Sequence, residues 1–218
     1  EEYALLSFFG RINYSFKDRY LLEANLRYDG SSRFADGHRW GLFPSVSAGW
    51  RVSEEDFWKN SGLSNVFDNL KLRASYGVLG NQNIGVYPYQ QTYNLGHDYP
   101  FGNPAALQSG AYMSVYNNPE ITWEKTAITD IGLDFSLFNG AFSGTVDYFY
   151  KYTSDILAPV EVSSIMGRSV GQSNVGAVSN KGIEVNLTYN GRIGNSFRFS
   201  IAPNFTCLLY TSDAADDS

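Results

Sequence analysis

Period-two alternation of apolar and polar residues, repeated in eight runs of about nine to twelve residues, is the strongest constraint on this chain. Tyr20, Leu22, Ala24, Leu26 and Tyr28 alternate with Leu21, Glu23, Asn25, Arg27 and Asp29, which gives an extended segment one apolar and one mostly polar face. Phe8, Gly10, Ile12, Tyr14 and Phe16 oppose Arg11, Asn13 and Ser15 in the same way, and Lys17-Asp18 is the short turn between the two runs. The pattern returns at residues 42–52, 70–78, 131–137, 142–150, 183–189 and 197–205, with Phe138-Asn139-Gly140 as a second hairpin turn. The chain therefore reads as all-β, with eight amphipathic strands.

Connection lengths narrow the class. Short joins at 17–18, 138–140 and 190–196 alternate with long ones at 29–39, 80–120 and 155–179. The join at 53–68 is intermediate, and its Glu54-Glu55-Asp56-Phe57-Trp58 run suggests a short helix opened by acidic residues. Long and short joins thus fall on opposite edges. Strands in soluble sandwiches average about 5 to 6 residues, whereas a tilted strand of about 9 to 11 crosses a bilayer. The pattern predicts an antiparallel transmembrane β-barrel with about eight strands in this chain. Tyr20, Tyr28, Trp40, Trp50, Tyr76, Tyr148, Tyr150 and Tyr189 lie towards the ends of the apolar stripes, where a headgroup-level girdle would put them. Alternation and β-propensity alone also admit a second reading, a soluble or surface β-sandwich module that binds glycans through exposed Tyr.

Composition removes other classes. With 16% aromatic residues, 21 Gly and only 17% charged residues, the chain is far from a disordered composition. A single Cys cannot build a disulfide framework, and His38 and His97 stand too far apart in sequence to suggest a zinc site. A net charge of -6 argues against nucleic acid as a partner, because phosphate binding needs a basic field. No apolar run is long enough for a spanning helix, which has no bearing on a barrel. Asp29-Gly30-Ser31-Ser32 is a strand exit rather than a nucleophile elbow, and Gly80-Asn81-Gln82-Asn83 lacks the Lys-Ser/Thr sequel of a phosphate cradle. Nothing here suggests an enzyme, a cofactor or a bound metal.

Several ordered motifs carry a family resemblance. Phe9-Gly10-Arg11-Ile12-Asn13-Tyr14-Ser15-Phe16-Lys17-Asp18-Arg19-Tyr20-Leu21-Leu22, Arg27-Tyr28-Asp29-Gly30-Ser31-Ser32-Arg33-Phe34 and Arg39-Trp40-Gly41-Leu42-Phe43-Pro44-Ser45 come first. They are followed by Leu70-Lys71-Leu72-Arg73-Ala74-Ser75-Tyr76-Gly77, Trp123-Glu124-Lys125-Thr126, Asp147-Tyr148-Phe149-Tyr150-Lys151 and Asn180-Lys181-Gly182-Ile183-Glu184. Together they resemble the SusC/RagA family of TonB-dependent outer-membrane transporters, over about residues 5–206. The resemblance implies the later part of a barrel in the outer membrane of a Gram-negative, Bacteroidetes-like cell, importing oligosaccharides or peptides. It also implies a SusD-like surface lipoprotein as a lid, and energy from the TonB-ExbB-ExbD complex through an amino-terminal part lying outside residues 1–218.

Within that frame, two groups of residues are candidates for function. Arg11, Glu23, Arg27, Arg51, Lys71, Arg73, Asp130, Asp134, Asp147 and Glu184 belong to the polar face and mix both signs. They are expected to line the lumen, either as a wall that holds a plug and passes a hydrated solute or as a ladder of cross-strand ion pairs. The loop at 81–120 carries Tyr87, Tyr89, Tyr93, Tyr99, Phe101, Tyr112 and Tyr116 among several Pro, Gly and Asn. Their rings are expected either to stack on sugars or peptide side chains or to pack the loop against itself or a capping partner.

The ends carry their own signal. Residue 1 is Glu and no basic, then apolar, leader precedes the first strand, so a targeting signal is expected to be removed or not included. Cys207-Leu208-Leu209-Tyr210-Thr211-Ser212-Asp213-Ala214-Ala215-Asp216-Asp217 resembles the translation of a transposon-end sequencing adapter. The expected division is a partial barrel at 1–206 and a non-native tail at 207–218, which holds the only Cys and three of the 22 acidic residues.

Overall fold

A computed structural model describes residues 2–113, 115–163, 165, 167–194 and 196–213, and in it the alternating runs pair into one nine-stranded antiparallel sheet. Its strands are β1 (Leu5–Phe16), β2 (Tyr20–Ser31), β3 (Trp40–Arg51), β4 (Phe67–Asn81), β5 (Glu124–Leu137), β6 (Phe142–Ser154), β7 (Val178–Ile193), β8 (Phe197–Ile201) and β9 (Asn204–Asp213). Each pairs with its successor as far as β8, and β9 joins the edge of β7 that β8 also uses. The register carries straight through the gap, with Tyr189 opposite Ile201, Asn186 opposite Asn204, and the Leu187 N–H donating to the Pro203 carbonyl at 3.0 Å. β8 and β9 are thus the eighth alternating run, interrupted where Pro203 has no N–H to give. Cys207 to Asp213, set apart in the sequence, continue β9 along β7; residues 214–218 lie outside the described residues.

The long strands, β1 to β7, run from 12 to 16 residues. At a rise of ~3.3 Å and a tilt near 40°, even 12 residues span ~30 Å, enough for the apolar band of an outer-membrane barrel. Loop lengths segregate as expected. Turns at 17–19, 138–141 and 194–196 occupy one end of the sheet, and connections at 32–39, 82–123 and 155–177 the other. In the first turn Lys17 and Asp18 both adopt left-handed φ (52° and 54°), and the Arg19 N–H closes on the Phe16 carbonyl at 3.0 Å.

The apolar face of the sheet is uncovered among the described residues. Ile12, Leu22, Val46, Ile131 and Phe205 share the apolar face and stay exposed, Ile12 at 72%. Among the described residues no second layer packs on them, so the sandwich reading does not hold. A continuous apolar face of this kind is a lipid-facing surface. Aromatic rings mark it at two heights. Phe16, Tyr20 and Trp50 lie at the short-turn end. Tyr28 and Trp40 lie eight and ten residues further along β2 and β3, or ~20–25 Å by the same rise and tilt, and Tyr76 and Tyr150 stand between the two levels in the ladder, opposite Val46 and Thr129. Trp40 stacks on Tyr28 with ring centroids 4.7 Å apart.

Residues 52–66 join β3 to β4 through two 3₁₀ turns and one helical turn, Asp56–Lys59. The acidic run does more here than open a helix. Glu55 occupies the N-cap position, yet its carboxylate makes no cap bond. It instead accepts from the Tyr20 hydroxyl at 2.7 Å, the Trp50 indole N–H at 3.1 Å and the Arg19 guanidinium at 3.1 Å. Hydrogen bonds from Tyr20 and Trp50, helped by the Arg19 charge, hold the Glu55 carboxyl below the usual glutamate range. A carboxylate whose folded pKa is depressed adds stability above its unfolded value of about 4.3 and loses it as pH falls through the folded value. The Arg51 amide, bonded to the Arg19 carbonyl at 2.8 Å, reports on this corner. In the full-length protein its hydrogen-exchange protection factor should stay level above about pH 4.3 and decline below it. In Glu55→Gln it should be low and independent of pH.

Candidate functional site

Two arrangements stand out, a charged cluster on the polar face and a knot of loops above it. All ten charged residues singled out in the sequence lie on the polar face, because their strands keep register without slipping a face. The centre is a row running across four strands, in which Arg73 of β4, Gly132 of β5, Asp147 of β6 and Glu184 of β7 stand side by side. Gly132 makes the row work. A Cβ there would collide with the Asp147 carboxylate and come within 2.7 Å of Arg73 Nη2, so the missing side chain is the slot through which Arg73 crosses β5. Beyond it, Arg73 Nη2 donates to Asp147 Oδ1 at 2.7 Å, while Nε donates to Asp134 Oδ1 at 2.8 Å. Asp130 sits 3.9 Å from Nη1, and Lys71 adds a 3.7 Å contact to Asp134.

These are half-buried ion pairs, and charge-assisted hydrogen bonds in such a setting contribute about 1.5–3 kcal/mol each. Three carboxylates against two cations leave the cluster acidic, with Glu184 extending it on the next strand. Two further pairs line the same face. Arg11 Nη2 meets Glu23 Oε1 at 2.6 Å, and Arg27 Nε meets the buried Asp29 at 2.7 Å. Arg51 faces Lys71 across the β3–β4 ladder, and neither Arg51 nor Glu184 has an ion pair within 4 Å among the described residues. The geometry is thus a ladder of ion pairs along the polar face.

At the long-loop end lies a small core that the alternation did not reveal. Phe34, Phe43, Ile84, Ile121 and Trp123 bury together, drawn from the loop 32–39, from β3 and from both ends of the 82–123 connection. Trp123 packs at 5.2 Å from Phe34 and 5.4 Å from Phe43, and its indole N–H donates to the Arg39 carbonyl at 3.0 Å. The Phe43 ring fills the space over Gly41 and Gly80, where any side chain would strike it. Arg33 Nη1 donates to the Gln82 and Ile84 carbonyls, each at 3.0 Å, and its guanidinium lies 4.0 Å over the Tyr3 ring. Asn174 fastens the third loop, donating to the Thr122 and Asp155 carbonyls at 2.9 and 2.8 Å and accepting the Thr122 N–H at 2.9 Å. Phe34 and Trp123 stood out in the sequence only as members of the family motifs, and no local signal pointed to Asn174.

The seven loop aromatics do not converge on one pocket. Asn94–Leu95 pairs with Ala111–Tyr112, and Tyr99–Phe101 pairs with Ala106–Gln108, which makes residues 94–112 a projecting hairpin arm. Tyr99 and Phe101 pack against each other at a tilt, ring centroids 5.1 Å apart, on that arm and remain more than half exposed. Tyr112 meets His97 edge-on at 4.2 Å, and Tyr116 lies under Arg168 at 5.2 Å. Tyr87 and Tyr89 form a separate pair at 6.1 Å, with the Tyr87 hydroxyl donating to the Glu2 carbonyl. Tyr93 is exposed at the foot of the arm.

Comparison with known proteins matches this architecture. The family described as TonB dependent receptor-like, beta-barrel, matches residues 1–218. The chain belongs to the TonB-dependent receptor β-barrel family. This barrel chain is 36% identical over 208 residues to TonB-dependent receptor SusC of Bacteroides thetaiotaomicron, covering 93% of the chain and 20% of that protein. TonB-dependent receptor P26 of Formosa agariphila is 41% identical over 194 residues, covering 88% of the chain and 19% of its own length. The solved structure of the RagAB peptide transporter superposes with a TM-score of 0.82 at 31% identity, over 97% of this chain and 22% of that one. The siderophore receptor PirA from Pseudomonas aeruginosa, at 15% identity and a TM-score of 0.58, shares the fold alone. The TonB-dependent receptor barrel described here spans about a fifth of the length of the curated relatives it matches.

Two expectations follow for the full-length receptor. In urea unfolding, the double-mutant cycle of Arg73→Ala with Asp147→Ala should show a coupling of about 1–2 kcal/mol, and Gly132→Val should abolish that coupling by closing the slot. Trp123→Ala should cost about 3–5 kcal/mol locally, read as faster hydrogen exchange at residues 33–39 and 82–84 with the strands unchanged.

Proposed function

We propose that this chain is part of an outer-membrane active importer of oligosaccharides or peptides of the SusC/RagA kind, working with a SusD-like surface lipoprotein and driven by the TonB-ExbB-ExbD complex. The observation that carries this reading is the pairing of the two faces. An apolar face suited to lipid backs a wall of opposed charges, from Arg11 and Glu23 through Arg73, Asp134 and Asp147, suited to a hydrated path. A wall of this kind holds a polar plug or passes a polar solute, because it offers donors and acceptors along its length. The resemblance to SusC and to the RagAB peptide transporter supports both the solute class and the partnership. In this reading Arg51 and Glu184, which have no ion pair within 4 Å among the described residues, are available to meet plug or solute. Tyr93, Tyr99, Phe101 and Tyr112 on and beside the projecting arm, with Tyr87, Tyr89 and Tyr116 near its base, are the outer contacts for solute or lid. Aromatic rings suit either, since a sugar or an apolar side chain stacks on the same face.

The reading is tested in cells carrying the full-length receptor, by uptake of labelled oligosaccharide and peptide mixtures with and without a protonophore. Uptake of one class, abolished by the protonophore, is expected, together with co-purification of a surface lipoprotein. Energy-independent uptake, or none of either class, sinks the proposal. Removing residues 94–112 should weaken uptake at low solute concentration about tenfold or more while the barrel still inserts. The division at 206 is tested separately by reading the genomic sequence beyond that codon; an uninterrupted match to 207–218 would overturn an adapter origin.

A further inference from the structure

The connection between β3 and β4 carries a feature that the transport reading leaves unused. Residues 52–66 begin beneath the strand ends, where the Ser53 hydroxyl meets Asn69 at 3.4 Å, and emerge on the lipid-facing side. Glu55 marks the crossing, because its two uncharged donors, Tyr20 and Trp50, both close the apolar stripe at the short-turn end. Trp58 follows on that side, packed edge-on against Phe67 at 5.9 Å. Val52, at the start of the segment, is buried, but its other large apolar residues have little cover. Phe57 is 61% exposed and Leu63 51%, with Val66 beside them and the equally exposed Phe138 next door, its N–H donating to the Val66 carbonyl at 3.2 Å. Between them sit charges directed to water: Lys59 pairs with Glu54 at 2.6 Å, and Asp56, 80% exposed, pairs with Arg19 at 2.9 Å.

This alternation of exposed rings with paired charges is the pattern of a segment lying in a membrane interface, apolar side chains down and charges out. A periplasmic loop in free water would gain nothing from exposing Phe57 and Leu63, whereas here the segment that carries them is fastened to the lipid-facing stripe through Glu55 on Tyr20 and Trp50 and Trp58 on Phe67. Tyr20 and Trp50, fixed by Glu55, stand at the headgroup level of that band. We propose that residues 52–66 form an interfacial collar whose partner is the phospholipid of the membrane's periplasmic leaflet, with Phe57, Leu63 and Val66 seated at the headgroup–acyl boundary. The collar ties one edge of the barrel to a fixed depth, and Glu55 joins the collar to the girdle. It rests on the transmembrane barrel reading, so its test carries an internal reference.

The full-length receptor, in a cysteine-free background and a phosphatidylethanolamine–phosphatidylglycerol bilayer, would carry one nitroxide at a time through Phe57→Cys, Leu22→Cys or Asp18→Cys. Leu22 lies on the lipid-facing stripe of β2, and Asp18 in the exposed turn at the same end of the sheet. The ratio of collision with oxygen to collision with a water-soluble nickel chelate should be severalfold higher at position 57 than at 18, and closer to that at 22. A ratio at 57 equal to that at 18, with 22 reporting lipid, overturns the collar and leaves the barrel standing. Water-like ratios at all three positions overturn the barrel reading itself. Phe57→Asp with Leu63→Asp supplies a second readout. It should lower the melting temperature in the bilayer and leave it unchanged in detergent micelles; equal effects in both overturn the collar.

Discussion

Register is the constraint on which this structure depends. In hydrocarbon every backbone N–H and C=O must find its partner inside the protein, so strands that cross lipid cannot slip or fray without a large penalty. The ladders between β1 and β9 meet that demand for every strand but the outermost, whose outer edges have no partner among the described residues, and they do so in one frame, with shifts only at Ser136/Leu137 and Lys181/Gly182, near strand ends or beside the last strand. Because side chains alternate with period two, that single frame also decides which residues see lipid and which see the polar side. The alignment of Arg73, Gly132, Asp147 and Glu184 across four strands is therefore not a separate feature of the fold. It is the same hydrogen-bond ladder viewed from its polar face.

The two ends of the sheet solve different problems with the same materials. At the long-loop end, Phe34, Phe43, Ile84, Ile121 and Trp123 make the only well-buried apolar cluster among the described residues, and it draws three connections into one base. The projecting arm at 94–112 rises from that base with its aromatic rings uncovered. A rigid root and an exposed tip suit a segment that must offer contacts without loosening the strands beneath it. At the short-turn end the polar side chains do the fastening, as Glu55 gathers Arg19, Tyr20 and Trp50 into one corner. There the aromatic rings face lipid and their polar atoms face the collar.

Much of this was readable from alternation. The runs around Tyr20 to Tyr28 and Leu70 to Val78 stand where they were expected, since few sequences satisfy period two by accident over that length. Strand ends were read too short, as in β7, which starts at Val178 rather than near Ile183. Its first residues, Ser179, Asn180 and Lys181, are polar on both faces, so no alternation announces them, and pairing with β6 on one side and β9 on the other makes them strand. Glu54 to Asp56 do lead into the expected helical turn at Asp56–Lys59, but that is the smaller part of what Glu55 does. The real partners of Glu55 lie 35 and 36 residues earlier, at Tyr20 and Arg19, beyond the reach of any local pattern.

What the sequence by itself determined was the two-faced strand, the segregation of long from short connections and the family to which such a chain belongs. Each is a property of neighbouring residues, and a period of two needs no knowledge of what lies across the sheet. Only the tertiary structure decided that Gly132 is a passage for Arg73, that Asn174 holds Thr122 and Asp155 together, and that Trp123 closes the loop base against Phe34. These depend on the stagger between strands and on where long loops return. Both are set by closing the backbone ladder over many residues at once, so no single stretch of sequence contains them.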